Sequence, residues 1–96
     1  DDAWALLMAF ASPDHEVLGL TITAGNVGLD HTVRNALKLC EVAGVDVPVF
    51  PGCAVPLVFP AEDAAYVHGR DGFGDTGYLA PTGVAQAEHA ALAMIR

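Results

Sequence analysis

Val17-Leu18-Gly19-Leu20-Thr21-Ile22-Thr23 constrains the fold more than any other stretch of the chain. It is short, β-branched and almost continuously apolar. A strand with one face in water alternates apolar and polar residues, whereas a strand covered on both faces does not. This run therefore predicts a central parallel strand, and a parallel strand needs helices to cover it. The flanking sequence supplies them. Residues 1–11 read as one helix, ended by Ser12-Pro13 because proline disfavours helical geometry in the residue before it. A second helix is expected from Leu29 or Asp30 to Ala43, with Leu29, Val33, Ala36, Leu37, Cys40 and Ala43 on one stripe. Gly44 is a natural stop. Val45 to Phe50 reads as a second strand, and Pro48 marks its start or an edge. Helix, strand, helix and strand in this rhythm predict an α/β fold with a mainly parallel sheet. A strand preceding residue 1 would complete the pattern.

The first helix opens on two acids, Asp1 and Asp2, and then runs apolar through Ala11 with no polar face. That pattern predicts a helix buried on nearly all sides, with Trp4 and Phe10 in the core. Carboxylates at a helix N-terminus are favoured by its dipole, which is one reading of the pair. The other is geometric. Adjacent helical residues point about 100° apart, so one acid could hold a metal while its neighbour holds a substrate hydroxyl. Ligands of parallel α/β sheets bind beyond the C-terminal strand edges. The helix tip and the turn Ala24-Gly25-Asn26-Val27-Gly28 are both expected at that edge.

Composition narrows the partners. Four Lys and Arg face twelve Asp and Glu, for a net charge of −8. Nucleic-acid binding needs cations that displace phosphate counterions, and docking on anionic membranes needs a basic surface; both are disfavoured. No apolar run is long enough to span a bilayer, and no signal peptide is visible. Hydrophobic residues make up 53% of the chain and charged residues 17%. Such an excess points to surface covered by further segments or by a partner subunit. Cys40 and Cys53 are too few for a disulfide framework or a zinc knuckle. Free buried thiols in a reducing, cytoplasmic compartment are expected.

From Pro51 to Pro81 the chain loosens into a long loop, with four glycines between His68 and Gly77. Loops of this length inside a domain are functional or disordered. Gln86 to Arg96 is expected to close as a helix. His15, His31 and His89 read as turn or helix-surface residues with no metal-ligand pairing.

Taken in order, Asp1-Asp2-Ala3, Thr23-Ala24-Gly25-Asn26-Val27, Thr32-Val33-Arg34-Asn35-Ala36-Leu37 and Val67-His68-Gly69 with its glycine-rich tail resemble the inosine-uridine nucleoside hydrolases. The resemblance implies a Rossmann-like three-layer fold with a mainly parallel, mixed sheet. Residues 1–96 would be the N-terminal part of a single hydrolase domain, its first strand and C-terminal portion outside the chain. The implied reaction is hydrolysis of the N-glycosidic bond of purine or pyrimidine ribonucleosides to base and ribose, using a calcium-bound water. Asp2 would be a calcium ligand, Asp1 would accept a ribose hydroxyl, and Asn26 would also bind ribose. His68 would lie near the nucleobase, by contact or by acid assistance to the leaving group. Arg34 is assigned to a surface ion pair and Asn35 to a satisfied polar group near a turn. Phe73 could cover the base or merely pack.

The family opens with Asp-x-Asp-Pro-Gly-x-Asp-Asp, of which only the last two acids are present, as Asp1 and Asp2. The general base, the other calcium ligands and the leaving-group acid would lie outside residues 1–96. Calcium takes about six to eight oxygens, so this stretch alone is expected neither to hold the ion tightly nor to turn over. The full-length protein would carry the activity, as a dimer or tetramer. The alternative is a non-catalytic nucleoside- or ribose-binding homologue of the same fold. A third reading is a Rossmann-like half-domain with an incidental acidic tip.

Overall fold

The computed structural model describes residues 1–96. Its elements are α1 (Asp2–Ala11), β1 (Leu20–Ile22), α2 (Leu29–Ala43), β2 (Val49–Pro51), α3 (Ala65–His68) and α4 (Ala90–Ile95). The expected α/β arrangement is present. β1 and β2 pair in parallel, with Leu20 opposite Val49, Thr21 opposite Phe50 and Ile22 opposite Pro51. Both strands are shorter than the apolar runs that announced them. Pro48 lies just before β2, where its carbonyl accepts the Leu20 N–H at 2.9 Å; a missing N–H at that point costs the ladder nothing.

Strand alternation divides the packing into layers. Leu20 and Val49 join Ala36 and Cys40 of α2 in the buried core, with Leu6 and Phe10 of α1 and Val33 and Leu37 of α2 packed around it. Phe50 points to the other face, where the Arg96 guanidinium lies 5.7 Å from its ring centre. α4 packs against both strands, and its Ala90 is buried. Gly52 makes this fit possible: a Cβ there would stand 2.7 Å from the Ile22 carbonyl oxygen and 3.3 Å from the Ala90 methyl.

α2 ends as its sequence predicts. Gly44 adopts φ 68°, a left-handed geometry that costs glycine no Cβ clash, and the closing bonds run from Gly44 N–H to Glu41 O and from Val45 N–H to Cys40 O. α1 also stops at Ser12, but its surroundings differ from expectation. It packs on α2 and no residue in it is fully buried; Trp4 is 74% and Met8 71% exposed. Only one side of the helix meets other elements, so a pattern apolar all round leaves two large side chains on the surface. Trp4 is therefore not a core residue, whereas Phe10 packs against the core. The closing helix begins at Ala90, not Gln86, because His89 caps it by accepting the Ala91 N–H at 3.2 Å. α3 is a single turn inside the stretch expected to be loop.

Eight of the 96 residues are buried, a thin core for so apolar a chain, as the composition suggested. Both cysteines are free; Cys40 is buried, but Cys53 is exposed just after β2, contrary to expectation. No helix is long and apolar enough to cross a membrane.

Candidate active site

The C-terminal edge of the sheet opens into a cavity of about 380 Å³. Asp1 and Asp2 at the tip of α1, Asn26 in the turn after β1, and His68 at the end of α3 all line it. They come from separate segments, and backbone geometry brings them together. The Asp1 carbonyl accepts the Ala5 N–H at 3.4 Å, which places Asp1 at the helix cap and Asp2 in the first turn. Neither acid spends its side chain on capping: Asp1 makes no side-chain cap bond. Both are exposed, and so their carboxylates remain available to a ligand.

The turn after β1 is closed by Gly25 N–H donating to Val27 O at 3.0 Å, with Val27 buried beneath it. The Asn26 carbonyl then accepts the Ala64 N–H at 2.6 Å. That bond ties the turn to the residue that caps α3, and one helical turn later stands His68, whose N–H donates to Ala64 O at 3.0 Å. The Asn26 side chain stays free to face the cavity while its backbone positions the histidine segment. His68 is half-buried.

Beyond His68 the chain folds on itself. The Asp71 carboxylate accepts N–H bonds from Phe73 at 2.8 Å and Asp75 at 3.0 Å. The Asp75 carboxylate returns bonds from Arg70 N–H at 2.9 Å and Asp71 N–H at 3.3 Å. Donation from Phe73, then Asp75, holds the Asp71 carboxyl below the usual carboxylate range. The loop is thus ordered by its own acids, and it brings Gly72 and Phe73 to the cavity wall.

Several wall residues were given no part in a site by the sequence, and Trp4 was expected in the core. Thr21, Thr23, Thr32 and Trp4 line the cavity. Thr21 in β1 and Thr23 just beyond it interrupt an apolar run at alternate positions, a signal that could have marked them as facing a polar space. Asn35 was expected to be a satisfied polar group and is: it is buried, its Nδ2 donates to Asp71 O at 2.6 Å, and its Oδ1 accepts the Tyr78 hydroxyl. Arg34 forms no ion pair. Its guanidinium lies 5.3 Å from the centre of the Tyr78 ring, because the loop brings an aromatic face, not a carboxylate, over α2. Phe73 both lines the cavity and packs at 5.7 Å against Tyr78. His15 bonds Ser12 Oγ at 2.8 Å in the turn after α1. His89 does more than the surface role expected of it: besides capping α4, its Nε2 lies 3.8 Å from Cys53 Sγ.

The donor set bears on a metal. Asp2 offers hard oxygen at the cavity rim, the donor type that calcium takes. No group of three His, Cys, Asp or Glu side chains in this chain converges tightly enough to hold an ion. The residues suit a calcium site in kind but fall short of one in number.

Comparison with known proteins shows the family and the fold. A sequence model of the inosine-uridine preferring nucleoside hydrolases matches residues 1–96. The chain is 48% identical to uridine nucleosidase 1 of Arabidopsis thaliana over 84 residues, which is 85% of this chain and 25% of that protein. It is 46% identical over 72 residues to a non-specific ribonucleoside hydrolase of Salmonella agona, covering 75% of this chain and 24% of the relative. It spans about a quarter of the length of these curated relatives. Among solved structures, an inosine-guanosine nucleoside hydrolase superposes with a TM-score of 0.89 at 35% identity, over 98% of this chain and 30% of that one. A purine-preferring ribonucleoside hydrolase from Gardnerella vaginalis gives 0.83 at 31% identity, over 97% and 32%. With a matching family model over its whole length and the same fold in these structures, the chain belongs to the inosine-uridine preferring nucleoside hydrolase family.

Proposed function

We propose that the full-length protein hydrolyses the N-glycosidic bond of ribonucleosides, and that this chain supplies the sugar-facing wall of its site. One observation carries the reading: Asp1, Asp2, Asn26 and His68, drawn from three segments of the chain, line a single cavity at the C-terminal edge of a parallel sheet. The family and the names of the relatives support the reaction class.

In this reading Asp1 accepts a hydrogen bond from a ribose hydroxyl, and Asn26 holds the sugar from the turn after β1. Two fixed contacts orient the anomeric carbon and remove rotational freedom before reaction. The sugar develops oxocarbenium character as the bond to the base breaks. Carboxylates at the cavity rim then stabilise positive charge that is larger in the transition state than in the ground state. His68 faces the nucleobase across the cavity. Asp2 supplies one or two of the oxygens of a calcium ion. When bound, that ion contributes charge and an oriented water of lowered pKa. Assembly into a dimer or tetramer and residence in the cytoplasm belong to the same reading, supported by the apolar excess and the two free thiols.

The test is ribose release from inosine and uridine by the full-length protein, with and without a chelator, alongside Asp2→Ala. Ribose release that collapses under both perturbations is expected. Activity indifferent to both would remove the metal assignment. Saturable nucleoside binding without ribose release would favour the binding homologue instead.

A further inference from the structure

Asn35 stands out among the polar residues of the chain because it is the only one that is buried. It sits on α2, and both ends of its amide are engaged by one distant loop. Nδ2 donates to Asp71 O at 2.6 Å, and Oδ1 accepts the Tyr78 hydroxyl. A buried amide with its partners removed costs far more than the modest net gain of making the bonds. The loop therefore has one well-defined seat on α2. Three further contacts agree on that seat. Arg34 and Lys38, on the same helix, lie 5.3 and 5.9 Å from the centre of the Tyr78 ring. Gly72 passes so close to Asn35 and to Val27, in the turn before α2, that a Cβ there would stand 3.3 Å from Asn35 Nδ2 and 2.9 Å from Val27 Cγ2, at a φ of 80° that favours glycine. The segment between the two bonds to Asn35 contains Phe73, and the residues just before it contain His68; both line the cavity.

We propose that Asn35 is a positioning residue that latches the His68–Tyr78 loop onto α2, and so sets where His68 and Phe73 stand against the nucleobase. The nucleobase half of this statement rests on the hydrolase reading above; the latch half does not. Asn35 borders the cavity, but both ends of its amide are taken by the loop, so it acts through the loop. Its loss should weaken the hold on the base, which is made in both ground and transition states, more than it slows bond cleavage.

The experiment uses the full-length protein and four variants: Asn35→Ala, Tyr78→Phe, His68→Ala and Asn35→Ala combined with His68→Ala. Amide exchange of residues 69–77 is followed without ligand, and KM and kcat are measured for inosine. Exchange in the loop should rise about tenfold in Asn35→Ala while α2 stays protected. KM should rise about tenfold, with kcat changed by less than about threefold. Combining Asn35→Ala with His68→Ala should add little to the KM of His68→Ala alone, because both act on one contact. Tyr78→Phe should shift exchange and KM in the same direction by a smaller factor, and it serves as the test if Asn35→Ala fails to fold. Unchanged loop exchange, a fall in kcat at constant KM, or full additivity with His68→Ala would overturn the proposal. If the wild-type protein neither binds nor cleaves inosine or uridine, the hydrolase reading fails and takes the nucleobase role with it. The exchange data still decide whether the latch exists.

Discussion

The two walls of the cavity are built by different physics. The α1 wall, carrying Asp1 and Asp2, is held by apolar contact alone: Leu6 and Phe10 pack toward the α2 core, and the helix makes no side-chain cap bond. The opposite wall, from His68 to Tyr78, buries little apolar surface and is held by polar bonds from Asn35, Asp71 and Asp75. Apolar contact is non-directional and tolerates small shifts, whereas a hydrogen bond holds only within a narrow range of distance and angle. The first wall can thus place a charged tip near a site, while the second can fix a side chain against one particular face of a ligand. Chemistry concentrated on the α1 side and substrate placement on the loop side is the division this difference predicts.

Asp2→Ala gives the sharpest break between the walls. It should lower kcat for nucleoside hydrolysis by about 10²–10³-fold, the scale on which losing one transition-state charge contact acts. A comparable fall from a loop substitution would erase the division. Next in size is Val49→Ala, which empties the most buried side-chain position of the core under both walls. It should cost about 2 kcal/mol of stability in denaturant unfolding of the full-length protein, with KM and kcat of the folded fraction little changed. His68→Ala should cost about tenfold in KM, more for a purine than for a pyrimidine nucleoside, because the larger base presents more surface to the loop. Equal effects on inosine and uridine would remove the base contact.

The smallest effect is on pH. The Asp71 carboxyl is held low by the Phe73 and Asp75 N–H groups. A carboxyl depressed in the folded state stabilises the loop fully above its unfolded value of about 4, and that gain fades as pH falls through the lower folded value. The Phe73 and Asp75 amide resonances should therefore be flat near neutrality and titrate together only below about pH 4. Asp71→Asn should abolish that step.

Much of the apolar scaffold is legible in the sequence. The stripe on α2 and the stop at Gly44 are one-dimensional signals, since helix period and left-handed glycine both act over a few residues. The parallel pairing of β1 and β2 followed from a continuous apolar run. The meeting of the α1 tip with the turn at Asn26 was expected from the layer pattern, which brings both to the C-terminal edge of the sheet; only the family resemblance pointed to His68.

What no local pattern could reveal was which far-apart polar atoms would meet. Trp4 looks like core in a row of apolar residues, yet it is exposed because α1 is covered on one side only. Arg34 looks like half of an ion pair, yet it lies over Tyr78, a residue 44 positions away. Asn35, Asp71 and Tyr78 carry no periodic signature, and their bonds exist only once the loop has returned to α2. Sequence by itself determined the layers and the left-handed turn, because burial periodicity and glycine geometry are written in neighbouring residues. The tertiary structure alone decided the loop's seat and the shape of the cavity, because directional bonds between distant segments depend on where the chain has already been packed.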